Sequence, residues 1–124
     1  MAKILIVDDD IRILKLYSEF LIKEGFEVLT SGEAGIGFDL AVDRLPDLIL
    51  LDIMMPGIDG TQMHERLSKD ANTRGIKVVF LTSLVKEDEV AASGGNIGGL
   101  DYISKSTPKE KFVKRIKEIL SGEK

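Results

Sequence analysis

Three consecutive carboxylates, Asp8-Asp9-Asp10, close the apolar run Lys3-Ile4-Leu5-Ile6-Val7, and Asp52 closes Leu48-Ile49-Leu50-Leu51. Thr82-Ser83 follows the run that ends at Leu81, and Lys105 follows the run from Leu100 to Ser104. Carboxylates gathered in one place repel one another unless a cation joins them. A hard cation with oxygen ligands resolves this, and Mg2+ is the expected one. A carboxylate beside that metal can also be a nucleophile toward a phosphoryl group. The transfer then needs positive charge and hydrogen-bond donors around the equatorial phosphoryl oxygens, which Lys105 and the Thr82 hydroxyl supply.

For these groups to meet, the segments that bear them must end on one edge of one sheet. Five short apolar runs alternate with longer helix-like stretches: Lys3 to Val7, Phe26 to Thr30, Asp47 to Leu51, Lys77 to Leu81 and Leu100 to Ser104. Nearly continuous apolar runs mark strands buried on both faces of a parallel sheet. Strand alternating with helix in this way predicts an α/β, doubly wound (βα)5 domain over residues 1–124. In such a sheet, ligands bind beyond the carboxyl ends of the strands, where strand order reverses.

Helix ends are legible too. The first helix runs from about Asp10 to Glu24 and stops at Gly25. The second opens with Thr30-x-x-Glu33, a capping-box pattern, although Gly35 and Gly37 weaken it by ~1 kcal/mol each relative to Ala. The third follows Asp59-Gly60-Thr61-Gln62, a variant of the same cap. In the last, Thr107 is the expected N-cap with Pro108 at the first helical position and Glu110 at the third. A fourth helix is expected only over Lys86 to Ala92, because Gly94, Gly95, Gly98 and Gly99 make a helical continuation unfavourable.

Composition excludes several function classes. With 17 basic and 21 acidic residues the net charge is −4, which argues against a nucleic-acid surface. There is no cysteine, so disulfides, thiolate metal sites and thiol catalysis are ruled out. No apolar stretch approaches the length of a membrane span, and no signal-peptide layout opens the chain, so a cytoplasmic location is expected.

The whole chain resembles the receiver domain of two-component response regulators, of the single-domain chemotaxis-regulator type. The matching features are Val7-Asp8-Asp9, Pro46-Asp47 leading to Asp52, Met55-Pro56 with Gly60, Leu81-Thr82-Ser83, and Tyr102-Ile103-Ser104-Lys105. The resemblance implies a flavodoxin-like, five-stranded parallel sheet in the order 2-1-3-4-5. It implies Asp52 as phosphoacceptor, with Asp8, Asp9, Asp52 and the backbone carbonyl of Met54 around Mg2+. Thr82 and Tyr102 match the two switch positions, Lys105 the phosphate-binding lysine, and small Ser83 the position that must admit the phosphoryl group. The implied donor is a histidine kinase or histidine phosphotransfer protein. The output goes to a downstream protein target, or the phosphoryl group passes onward in a phosphorelay. A monomer or weak dimer is expected, catalysing only its own phosphorylation and dephosphorylation.

Receivers usually carry a cis proline after the lysine, where this chain has Ser106. A cis bond before a non-proline residue costs roughly 2.5–4 kcal/mol, so a trans Lys105-Ser106 bond is expected. The side chains flanking the path of an attacking water are, by resemblance, Met54 and Leu84. Neither can orient a water, which implies slow self-dephosphorylation.

Plainer readings hold for other residues. Asp10 is expected to be a helix cap, His64 exposed and incidental, and the lysines and Arg115 of the last helix a solvated face. A phosphatase with an aspartyl-phosphate intermediate would place a second Asp where Met54 stands. A flavodoxin-like cofactor binder would need a Gly/Ser/Thr-rich loop where Asp8-Asp9-Asp10 stands.

Overall fold

The computed structural model describes residues 2–54, 60–83, 96–97 and 100–122. Strands β1 (Lys3–Val7), β2 (Glu27–Ser31), β3 (Leu48–Asp52), β4 (Lys77–Thr82), β5 (Asn96–Ile97) and β6 (Leu100–Ser104) form one sheet in the order β2-β1-β3-β4-β6-β5. All pairs are parallel except β5 on β6, so the five long strands follow the expected doubly wound order. The two-residue antiparallel strand at the edge was not predicted. It falls within the glycine-rich stretch read as non-helical. The helix expected over Lys86 to Ala92 lies outside the described residues, as do Leu84 and the Asp59 cap.

Four described helices cover the two faces: α1 (Ile11–Lys23), α2 (Ala34–Arg44), α3 (Gly60–Lys69) and α4 (Lys109–Ser121). Alternation along the strands divides the core. Ile4, Ile6, Leu48, Leu50, Val79 and Leu81 face Tyr17 and Leu21 of α1 and Phe112 and Ile116 of α4. Leu5, Val7, Ile49, Leu51 and Phe80 face Ala41 of α2 and Met63 and Leu67 of α3. Each fully buried large side chain contributes roughly 1.5–3 kcal/mol. Tyr17 stacks on Phe112 with centroids 4.5 Å apart, tying α1 to α4.

Helix ends follow the predicted chemistry in part. Asp10 caps α1, its side chain accepting the Arg12 N–H at 2.9 Å, and Gly25 takes the positive φ of 92° just past the end. The Thr30–Glu33 box does not form. Thr30 stays in β2, paired with Ile6, and Ser31 instead donates to the Glu33 carbonyl and accepts the Glu33 N–H. Glu33 is the N-cap without a side-chain bond. The last helix starts one residue later than predicted, with Pro108 rather than Thr107 as its cap at ψ 151°. A residue before proline is pushed out of the helical region, and Thr107 donates its N–H to Ser104 instead. Gly37 does more than weaken α2: a Cβ there would lie 2.8 Å from Val7 Cγ2, so glycine lets the helix close on β1. Among the described residues no helix is long and apolar enough to cross a membrane.

Candidate functional site

The carboxyl ends of β1, β3, β4 and β6 bring most of the predicted residues together. Asp8 directly follows β1; its N–H donates to the Ser31 carbonyl at 3.1 Å, continuing the β1–β2 ladder. It is fully buried, and its Oδ1 accepts the Asp10 N–H at 2.9 Å. Asp52 is the last residue of β3, a strand buried at every position, and is itself 4% exposed. Its Oδ1 accepts the Met54 N–H at 3.2 Å, which fixes the carboxylate against the chain that follows. Asp9 is exposed beside them. Oxygen atoms of Asp8, Asp9 and Asp52 all lie within 4.8 Å of one another. The third member of the acidic triplet, Asp10, turns away to its cap and to the Arg12 guanidinium at 3.1 Å.

Lys105 reaches the cluster from the turn after β6. Its Nζ lies 2.8 Å from Asp8 Oδ2 and 3.3 Å from Asp52 Oδ1, bridging the two buried carboxylates. The contact with Asp8 is an ion pair set off hydrogen-bond direction, so Asp8 Oδ2 is a buried oxygen without a well-placed donor. Such an atom, with two further carboxylates at ligand spacing, suits a hard cation. The donor set is oxygen only, as Mg2+ requires. Thr82, the last residue of β4, is buried, and its carbonyl accepts the Lys105 N–H at 2.7 Å.

The charge balance leaves the site short of positive charge. Burial first, then the Asp8 charge, push the Asp52 carboxyl up to about 6, against the opposing pull of Lys105. Burial works against the Lys105 ammonium, but the close Asp8 carboxylate, with Asp52 adding to it, holds it above the ordinary lysine value. Tyr17 on α1 is pushed up to about 12, by burial first and then by the Asp8 charge. A bound cation would relieve all three carboxylates at once.

Two structural roles in the site go beyond the sequence reading, in which Gly60 was a matching residue without an assigned role. Gly60, the first residue of α3, donates its N–H to the Ile53 carbonyl at 2.9 Å. A Cβ there would collide with the Asp52 carbonyl oxygen and come within 2.9 Å of Ile53 Cα. Glycine thus lets α3 press on the backbone that bears Asp52. The other is the pair Ser104 and Ser106 around the lysine, where the Ser104 Oγ accepts the Ser106 N–H at 3.2 Å. A Ser-Lys-Ser pattern in which a hydroxyl bonds the backbone two residues on is the available signal. The Lys105-Ser106 bond is trans, as expected.

Outside the carboxylate cluster, the Met54 side chain is 62% exposed beside the Asp52 turn. Tyr102 is half-buried, its ring 5.4 Å from Phe80. His64 was expected to be exposed and is instead half-buried, with its ring edge-on to Phe80 at 5.4 Å. Helical periodicity turns it toward the sheet, one residue from the core position Met63.

Residues 4–117 match the family model described as the response regulator receiver domain. The chain is 38% identical to protein PilH of Pseudomonas aeruginosa, over 98% of this chain and 100% of that protein. It is also 38% identical to the phosphate regulon transcriptional regulatory protein PhoB of the same organism, over 94% of this chain but only 51% of PhoB. The crystal structure of a CheY-like response regulator receiver domain protein from Methanospirillum hungatei superimposes with a TM-score of 0.81 at 32% identity, covering 98% of this chain and 95% of that one. This chain belongs to the response regulator receiver domain family.

Proposed function

We propose that this protein is a phosphorylation switch in which Asp52 accepts a phosphoryl group. The observation that supports this most is the bridging of buried Asp8 and Asp52 by the Lys105 ammonium at the carboxyl edge of the sheet. Asp8, Asp9, Asp52 and the Met54 carbonyl would hold Mg2+, whose charge would offset the carboxylates and the oxygens of the transferring group. Asp52 attacks phosphorus in line. Its O–P bond forms as the N–P bond of a donor phosphohistidine breaks, and the imidazole leaves. Lys105 and the Thr82 hydroxyl contact the phosphoryl oxygens and hold the new group in place.

The donor is a histidine kinase or a histidine phosphotransfer protein, and the reaction is cytoplasmic. Output is then a contact with another protein, made when the phosphoryl group draws Thr82 inward and Tyr102 repacks on Phe80. The Phe80 contact with His64 extends that repacking to α3.

The test is to incubate the protein with acetyl phosphate and Mg2+ and follow intact mass. One phosphoryl group per chain is expected. It should be absent with a chelator, absent in Asp52→Asn, and removed by hydroxylamine. An unmodified protein after prolonged incubation with donor and metal contradicts the proposal.

A further inference from the structure

Lys105 has to cross from the last strand to two carboxylates that other strands deliver, yet the core does not fix it. Its backbone is held on one side by its own N–H, which donates to the Thr82 carbonyl at 2.7 Å. On the other side the holding is done by hydroxyls. The buried Ser104 Oγ accepts the Ser106 N–H at 3.2 Å, and the two serine hydroxyls share a hydrogen bond at 2.8 Å. The Thr107 N–H donates to the Ser104 carbonyl at 3.0 Å, closing the turn. Proline at position 106 has no N–H and could not make the bond to Ser104. The trans geometry and the serine pair belong together.

We infer that Ser104, with Ser106 bonded to it, is a positioning residue: the hydroxyl-linked turn aims the Lys105 ammonium between Asp8 and Asp52. The inference rests on the reading of Asp52 as phosphoacceptor and of Lys105 as its phosphoryl contact. Its physical content is entropic. A long lysine side chain loses rotamer freedom when it bridges two groups, and a fixed backbone leaves fewer freedoms to lose. Ser104 also stands in register with Thr82, so the cycle with Lys105 decides whether it acts through the lysine.

A double-mutant cycle separates this from ordinary satisfaction of a buried hydroxyl. The variants are Ser104→Ala, Ser104→Thr, Lys105→Ala and the pair Ser104→Ala/Lys105→Ala. For each, the rate constant of Asp52 labelling is measured at saturating acetyl phosphate and Mg2+. The dissociation constant for beryllofluoride, a phosphoryl mimic, and the melting shift produced by Mg2+ are measured alongside. Ser104→Ala is expected to slow labelling about fivefold and weaken beryllofluoride by a similar factor, leaving the Mg2+ shift unchanged. Ser104→Thr, which keeps the hydroxyl, should restore both. In the Lys105→Ala background the further change from Ser104→Ala should vanish.

A Ser104→Ala protein that labels at the wild-type rate overturns the inference, and so does an equal loss with and without Lys105. Ser106→Ala removes the hydroxyl pair but keeps the N–H. It should give a smaller loss that also disappears without Lys105, and it serves if Ser104→Ala does not fold. A wild type that is never labelled overturns the phosphoacceptor reading beneath it, and a Lys105→Ala protein that labels normally overturns the reading of Lys105 as its phosphoryl contact.

Discussion

The two halves of the site are held by different physics. Asp8 and Asp52 sit at the ends of strands whose residues Ile4 to Val7 and Leu48 to Leu51 are wholly buried. Their positions are set by packing on both faces, with Gly60 pressed against the Asp52 backbone. Lys105 sits past β6, next to the edge strand of the sheet, and its turn is closed by side-chain hydroxyls and a few backbone bonds. Packing is non-directional and collective, so the acidic half tolerates little displacement. The lysine half depends on single directional bonds and can be loosened one bond at a time. A switch needs both: a fixed acceptor and a cation able to move from carboxylate to phosphoryl oxygen.

The strongest way to break the comparison is at Gly60. Gly60→Ala places a methyl group against backbone atoms that cannot rotate away, and should lower stability by ~3 kcal/mol. Denaturant titration checks this, and labelling of the surviving folded protein should fall with it. A protein of wild-type stability would show that α3 does not press on the acidic half.

The next effect is electrostatic and has a defined pH window. The Asp52 carboxyl lies at about 6 in the folded protein against an ordinary value of 3.8. Below pH 3.8 both states hold the proton and the shift has no effect on stability. As pH rises toward about 6, the folded state keeps a proton that the unfolded state has lost, so stability falls. Above that the cost is complete. In chelator, Asp52→Asn should therefore stabilise the protein at neutral pH by ~2 kcal/mol and gain nothing below the window. Mg2+ should stabilise the wild type most at neutral pH, because it binds the ionised form. A gain that is the same on both sides of the window would mean that burial of the charge is not its source.

Asp10 sharpens the boundary of the acidic half. Although it adjoins Asp8 and Asp9, its side chain serves α1 and Arg12. Asp10→Ala should lower the melting temperature by a few degrees and leave the Mg2+ shift intact, whereas Asp9→Asn should weaken it. A loss of the Mg2+ response in Asp10→Ala would return it to the site.

The smallest expected effect on the fold is at Met54, where only the phosphate's lifetime should change. Its exposed thioether cannot orient a water for in-line attack on the acyl phosphate. Met54→Asn supplies a group that can, and should shorten the lifetime by a factor on the order of five with little change in stability. Decay of labelled protein in excess Mg2+ measures it. An unchanged decay would mean that water access does not limit hydrolysis.

This contrast also explains what could be read from the residues alone. The five long strands and the convergence of Asp8, Asp9, Asp52 and Lys105 follow from continuous apolar runs and what stands at their ends, which is the language of packing. Boundaries set by single hydrogen bonds were less legible. Ser31 replaced the predicted Thr30 box by taking the Glu33 N–H, and Pro108 displaced Thr107 as a cap because proline pushes the residue before it out of the helical region. The Ser104 turn belongs to this second kind, as does β5, whose pairing is set by the neighbouring β6. His64 was misjudged because one histidine on a helix does not reveal the ring of Phe80 beneath it.

The most direct test of the account is to find the labelled atom. Protein treated with acetyl phosphate and Mg2+ is reduced with borohydride, which converts an aspartyl phosphate to homoserine, and its peptides are mapped by mass. Homoserine is expected at position 52 alone, with none when Mg2+ is withheld. Homoserine at position 8 or 9, or equal labelling without the metal, would contradict it.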